Sequence, residues 1–297
     1  MVAFGVHVGL EGASVEELRQ AWCRAEALGF EWISVNDHFL PMLQGQHGEP
    51  FEAVACHAAL AAETTRARVG SLVYGVAHRH PTVLAAAAST IDHLSDGRLE
   101  LGLGAGFVEA EHAALGLVLE APAVRLRRLA EATTLIRLLW SGDVVDLAGE
   151  FYDVRGARVR APVQRPPRIW LGLQGERLGL PLAGRLADGW NCGSASAAAF
   201  GRKRSIVLDH AEDPDAMATS VSVDVVLTGP GSRGSEAVVP SFRYARTEVV
   251  AGGPAEVCHA IGAYVEAGAD WVVVRLAAPL DLEQLDRFAA EVVPAFS

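Results

Sequence analysis

The stretch RHPTVLAAAASTIDHLSDGRLELGLGAGF, running from Arg79 to Phe107, reads as a helix, a turn and a strand in that order. Pro81 suits the first helical position, where a missing N–H removes a donor that has no intrahelical partner anyway. Leu99 to Leu103 reads as the strand, and it runs directly into a glycine-rich turn. The same alternation repeats on either side. Upstream, Phe4 to Val8 is a strand, Ser14 with Glu17 forms a capping-box signature for a helix closing at Gly29, and Trp32 to Val35 is a second strand. A loop from Pro41 to Pro50 leads to a helix from about Phe51 to Glu63, and Val69 to Tyr74 is the third strand. Downstream come a long helix from about Ala123 to Trp140, a hairpin-like excursion over Val144 to Val154, and a fifth strand at Arg168 to Leu171. A helix over Leu178 to Ala187, broken or bent near Pro181, precedes a sixth strand ending at Gly189-Trp190-Asn191. A helix around Ala197 to Asp209, strands at Ser220 to Leu227 and Trp271 to Leu276, and helices at Pro254 to Ala267 and Leu282 to Val293 complete the pattern. Eight strand signals, most followed by a helix, predict one closed (β/α)8 TIM barrel over residues 1–297, with short insertions at its C-terminal face.

Composition narrows the function without naming it. The 297 residues are 51% hydrophobic, which excludes a disordered chain. The net charge of −11 argues against nucleic acid or an anionic membrane as partner, since both reward clustered Lys and Arg. No apolar run approaches the ~20 residues that span a bilayer, and Met1 to Gly9 lacks a signal-peptide pattern, so a cytoplasmic protein is expected. Cys23, Cys56, Cys192 and Cys258 form no C-x-x-C pair and read as free, mostly buried thiols.

In a barrel the chemistry sits in the loops after the strands. Asn36-Asp37-His38-Phe39 follows the second strand and can bind a polar ring edge and move a proton, or can simply cap a loop. Leu101 to Phe107 invites a dinucleotide reading, but the third glycine of G-x-G-x-x-G would fall at Phe107 and the run ends a fourth strand. Its glycines instead offer a backbone that a flat ring can approach. His78 and His80 have H-x-H spacing, yet no later residues complete a metal set, so no metal is expected. Leu171-Gly172-Leu173-Gln174-Gly175-Glu176 opens a helix and forms an anion site suited to phosphate, with Arg177 adding charge. Asn191 either donates to a ligand or is structural, and Trp190 can be plain core.

Taken together these residues resemble the luciferase-like family of flavin and deazaflavin oxidoreductases. The most specific part is Arg79-His80-Pro81, then Asp92-His93-Leu94-Ser95-Asp96-Gly97-Arg98, then Gly102-Leu103-Gly104-Ala105-Gly106-Phe107, which is similar to the family's R-H-P…D-x-L-S-x-G-R…G-x-G-x-G-W segment. Asn36-Asp37-His38-Phe39, Leu139-Trp140-Ser141-Gly142 and Ala187-Asp188-Gly189-Trp190-Asn191 match further landmarks in order. The flavour is that of the branch using the deazaflavin coenzyme F420.

The resemblance implies a barrel with the cofactor ring at its mouth and a homodimer. Asp37 would contact the ring's pyrimidine edge or support the loop beneath it, and His38 would be the catalytic proton donor or a substrate ligand. A non-proline cis peptide is implied at Leu72–Val73, with Gly75 giving clearance under the ring. Ala105 and Gly106 would line the ring and ribityl chain, and Gly172, Leu173, Gln174, Gly175 and Glu176 would surround the phosphate. Relatives acting on sugar phosphates carry Glu where this chain has Phe107, and Trp near Met42, so a small, more apolar organic substrate is expected. The family's insertion between strands seven and eight looks short here, which would leave the substrate pocket open or completed by a dimer. The implied activity is F420-dependent hydride transfer. The alternatives are an FMN-dependent monooxygenase served by a separate reductase, a non-catalytic flavin-binding barrel, and a metallohydrolase using His78 and His80.

Overall fold

The computed structural model describes residues 2–42, 48–163, 166–228, 249–276 and 280–296. Among these the strands are β1 (Ala3–Val8), β2 (Trp32–Val35), β3 (Arg68–Ser71), β4 (Tyr74–Gly75), β5 (Leu99–Gly104), β6 (Val145–Ala148), β7 (Asp153–Ala157), β8 (Arg168–Gly172), β9 (Gly189–Gly193), β10 (Ala218–Leu227), β11 (Val249–Gly252) and β12 (Trp271–Leu276). Hydrogen bonding runs β10-β12-β1-β2-β3-β5-β8-β9, and β9 pairs back onto β10. Every pair around this ring is parallel, so the sheet is a closed eight-stranded barrel with helices between its strands. In register, Val6 lies opposite Val274 on one side and Ile33 on the other.

The β9–β10 pairing closes the ring, and the apolar runs fit its strands to two covered faces. A parallel sheet is covered on both faces, and all six residues of β5 and all four of β2 are buried. The main core lies between barrel and helices, where the long helix Pro122–Trp140 buries Leu129, Leu135, Ile136 and Leu139. A separate cluster of Trp32, Trp170 and Val273 fills space near the N-terminal ends of the strands, with the two indoles 4.7 Å apart. Glu100 is buried against it, accepting from Trp170 Nε1 and pairing with Arg68.

Four expectations are corrected. The third strand is not continuous: β3 stops at Ser71, Leu72–Val73 is a cis peptide, and β4 resumes at Tyr74. The helix after β8 runs unbroken from Gly179 to Leu186, because Pro181 falls in its first turn, where N–H groups need no intrahelical acceptor. A six-residue helix, Glu109–Ala114, follows the glycine run, and β11 adds a strand beside β10. Both are too short for periodicity to register. The final helix ends at Glu291, and Val293–Phe296 is a 3-10 turn. The hairpin lies over β6 and β7, pinned by Glu131, which accepts from the amides of Glu150, Phe151 and Tyr152. The glycine-rich loop at 229–234, most of the stretch between β10 and β11, and residues 43–47 of the loop after β2 lie outside the described residues. Among the described residues no helix is long and apolar enough to cross a membrane.

Candidate active site

Two cavities open at the C-terminal ends of the strands, one of about 520 Å³ and one of about 810 Å³. They share His38, Leu72, Val73, Phe107, Gly172 and Gln174 as a common wall. The larger also touches Asp37, Gly75, Ala105 and Gly106 on one side, and Leu173, Gly175 and Glu176 on the other. The twelve residues that the resemblance assigns to the proton or to the cofactor therefore all line one space, although they come from four separate loops.

Asp37 is almost wholly buried, and its Oδ2 accepts from the Gly75 amide at 2.9 Å, His78 Nδ1 at 3.1 Å and Arg79 Nη1 at 2.8 Å. Burial works against its charge, but the bonds from His78 and Arg79 outweigh it and hold the carboxyl below the usual aspartate range. Asp37 thus ties β2 to the backbone just after the cis peptide.

His38, the next residue, has a different partner. Its Nδ1 is 3.2 Å from each oxygen of Glu111, a carboxylate on the helix Glu109–Ala114 whose side chain is 2% exposed. Glu111 also accepts from the amides of Phe39 at 2.7 Å and Leu40 at 3.4 Å. Burial alone would raise its pKa, yet the hydrogen bond from His38 and the Phe39 amide bring it below the ordinary glutamate value. Glu111 was not a candidate in the sequence reading. The signal that could have found it is an acidic residue four positions beyond Phe107, in the segment that follows the glycine run at the barrel mouth.

The glycine run serves the protein before any ligand. A Cβ on Gly102 would overlap the carbonyl oxygen of Ser71, and one on Gly104 would sit 2.5 Å from Val73 Cγ2. These glycines let β5 abut the interrupted third strand, so that Leu72 and Val73 form the wall between the cavities. Gly75 likewise gives its clearance to His78, whose ring would lie 2.7 Å from an added Cβ. Phe107, just past the run, is 52% exposed and meets His38 edge-on with centroids 6.4 Å apart.

The far end of the larger cavity suits an anion. The chain from Gly172 to Leu178 leads into the helix Gly179–Leu186, and a Cβ on Gly175 would meet only the Gly179 amide nitrogen, 4.0 Å away. Gln174 is held by its amide on the Gly193 carbonyl at 2.8 Å and by Lys203 at 2.6 Å, and the buried Trp190 indole donates to the Leu173 carbonyl at 2.8 Å. Arg125 and Arg177 line the same cavity, and Arg125 Nε is buried without a hydrogen-bond partner among the described residues.

The smaller cavity has apolar sides, including Met42, Leu72 and Leu276, and a polar floor. Asp224 is paired with Arg275, Asn191 donates to Ser220 and Ser222, and Asn36 donates to the buried Glu11 at 2.9 Å. His7, bonded to Ser34, has its pKa lowered to about 3 by burial and by the neighbouring Arg275 and His38, so it is a neutral imidazole. Asn191 is therefore both a structural donor and a lining residue, and Trp190 is core, stacked 5.6 Å from Phe200.

His78 and His80 do not converge. His78 is engaged by Asp37, whereas His80 caps the helix Pro81–Leu94 and packs edge-on against Tyr152. Among the described residues no cluster of three His, Cys, Asp or Glu is set to hold a metal. Of the thiols only Cys192 is buried, its pKa pushed up to about 11 by desolvation, while Cys23 is exposed.

The profile of the family described as luciferase-like monooxygenase matches residues 1–230. The chain belongs to that family. Among curated relatives, this luciferase-like chain is similar to an F420-dependent glucose-6-phosphate dehydrogenase of Amycolatopsis mediterranei (strain U-32), 32% identical over 65% of the chain. The match spans 58% of that relative's length. A protein of the same description from Intrasporangium calvum is 29% identical, over 99% of this chain and 98% of its own. Among solved structures, an F420-dependent secondary alcohol dehydrogenase with an F420-acetone adduct superposes with a TM-score of 0.86 at 19% identity, over 100% of this chain and 99% of that one. A long-chain alkane monooxygenase gives 0.78 at 14%, over 99% and 90%. These two likenesses establish the TIM-barrel fold of the luciferase-like chain.

Proposed function

We propose that this luciferase-like chain is an oxidoreductase that moves hydride between coenzyme F420 in the larger cavity and a small, rather apolar organic substrate in the smaller one. The observation that carries the reading is the shared wall. His38, Leu72, Val73 and Phe107 line both spaces, so the two cavities adjoin and a ring in the larger can meet a substrate held in the smaller. The relatives described as F420-dependent support the choice of cofactor.

The residues present fit such a group. Val73, Ala105 and Gly106 offer a flat apolar slot for its ring, and the backbone from Gly172 to Glu176 offers donors for its phosphate. Arg125, whose Nε has no partner among the described residues, and Arg177 offer charge for further anionic groups. Bound there, the deazaflavin supplies the hydride chemistry, and the protein supplies placement. Asp37 holds Gly75 and the wall rigid. His38, beside both cavities and backed by Glu111, handles the proton that accompanies the hydride. Phe107, Met42, Leu72 and Leu276 exclude water from the reacting carbon, while the neutral His7 and the paired Asp224 and Arg275 leave the floor suited to an uncharged polar end of the substrate. In this reading residues 1–297 form one catalytic unit, working as a homodimer in the cytoplasm.

The test is binding and turnover with purified protein. Reduced F420 should bind and be oxidised by members of a panel of enones, imines or ketones, and His38→Ala should lower kcat at least ~100-fold while changing cofactor Kd less than ~3-fold. Tight FMN binding with no measurable F420 binding would instead favour the FMN-dependent monooxygenase. Equal loss of kcat and affinity in His38→Ala would reduce His38 to a shaping role.

A further inference from the structure

We propose that Glu111 is a positioning residue that fixes which ring nitrogen of His38 carries the proton, so that His38 turns Nε2 to the junction of the two cavities. The proposal rests on the hydride-transfer reading only for its kinetic consequence.

The helix Glu109–Ala114 is the starting point. Its two buried residues are Glu111 and His112, where a short packed helix ordinarily buries apolar side chains. A buried carboxylate is costly unless compensated, and swapping a buried ionic group for a well-packed apolar one is often neutral or stabilising. Retaining Glu111 for stability alone is therefore a poor bargain, and its partners indicate another use. Oε1 takes the Phe39 amide at 2.7 Å, which orients the carboxylate, and both oxygens then lie 3.2 Å from His38 Nδ1. An ionised carboxylate only accepts hydrogen bonds, so Nδ1 must be the donor; in the neutral ring Nε2 is then the bare nitrogen. When Nε2 takes up a proton, the imidazolium formed faces the Glu111 charge, the arrangement by which a carboxylate behind a histidine sets tautomer and stabilises the protonated ring.

A second imidazole backs the first. His78 Nε2 lies 3.7 Å from Glu111 Oε2, and His78 Nδ1 is 3.1 Å from Asp37 Oδ2. The order Asp37, His78, Glu111, His38 alternates carboxylate and imidazole, and joins the Asp37-His38 loop to the helix through contacts at both ends. Glu111 cannot swing away from His38 without also losing the two backbone amides of Phe39 and Leu40. The cage is rigid for that reason.

The experiment uses 15N-histidine-labelled full-length chain, free of substrate and cofactor, with two-bond 1H–15N correlations and His38→Asn to assign the ring. The intact protein should show His38 as the Nδ1–H tautomer. In Glu111→Gln the amide oxygen stays on the Phe39 N–H, the NH2 replaces one of the two acceptors facing Nδ1, and the ring should shift toward Nε2–H. Turnover should then fall ~10- to 100-fold with cofactor Kd within ~3-fold, and Glu111→Asp, which keeps the charge, should recover part of both signals. A His38 ring in the Nε2–H form in the intact protein, or a tautomer indifferent to Glu111→Gln, overturns the proposal. So does a shifted tautomer with unchanged kcat. If Glu111→Gln does not fold, the tautomer of the intact protein and of Glu111→Asp decides it. A preparation that shows the Nδ1–H tautomer but oxidises no reduced deazaflavin refutes the hydride-transfer reading and leaves the positioning of His38 established.

Discussion

Replacing Asp37 by asparagine removes one negative charge from beneath the wall between the cavities, and the structure sets the size of the effect. The carboxylate is 1% exposed and receives the Gly75 amide, His78 and Arg79, all on Oδ2. Asparagine can place its oxygen where Oδ2 stands, with its NH2 at the Oδ1 position, which has no hydrogen-bond partner among the described residues, so what is lost is the charge facing Arg79 and His78. Removing one partner of a buried ion pair costs ~3–5 kcal/mol. Arg79 keeps its second carboxylate, Glu52, whose side chain is 44% exposed, so the guanidinium is not stranded. The expected loss is therefore near the lower end, ~3 kcal/mol at pH 7, or roughly a hundredfold in the folding equilibrium. The folded-state pKa of Asp37 is depressed: burial raises it, but His78 and Arg79 outweigh burial. Its contribution is thus complete above the unfolded aspartate value near ~4 and disappears as pH falls through the lower folded value. Urea unfolding of wild type and Asp37→Asn at several pH values measures this directly. The gap between the two should be widest at neutral pH and narrow in acid as pH falls through the depressed folded-state value. A gap under ~1 kcal/mol at pH 7, or one that widens in acid, would refute the assignment of Asp37 as the tie between β2 and the interrupted strand.

Other substitutions separate packing from binding. Gly102→Ala should lower stability by ~2 kcal/mol or more in urea unfolding, because its Cβ collides with the Ser71 backbone, which cannot yield as a flexible side chain would. Gly175→Ala should leave the urea midpoint unchanged, having only the Gly179 nitrogen at 4.0 Å nearby, while a bulky residue such as Gly175→Leu should weaken cofactor binding at least ~10-fold. Arg125→Met should weaken F420 binding with little effect on a phosphate-free deazaflavin analogue, and the difference should shrink as salt rises; equal loss for both would remove Arg125 from the anion site.

Much of the candidate site was legible because its residues cluster where a strand meets a loop. Asp37 and His38 close β2, the run from Gly102 to Phe107 closes β5, and Gly172 to Glu176 closes β8, so the barrel rule brings them to one mouth without further information. Their use was less legible. Gly102, Gly104 and Gly75 read as clearance for a ligand, but each makes room for the chain's own atoms, Ser71, Val73 and His78. Of the polar floor only Asn36 and Asn191 stood out in the sequence. His7, Asp224 and Arg275 stand on β1, β10 and β12, at opposite ends of the sequence, and meet only because β12 pairs with both β1 and β10.

The alternation of apolar strands and amphipathic helices determined a parallel sheet covered on both faces, and the count of eight strand signals favoured a closed barrel over an open doubly wound sheet. The spacing of the motifs at strand ends likewise determined which loops gather at its mouth. Tertiary structure alone decided what each side chain does there. Asp37 and His38 are adjacent in sequence yet face different partners, one turned to Arg79 and the other to Glu111. That division depends on a six-residue helix folding back across the loop, and a helix so short is stable only through the contacts it makes.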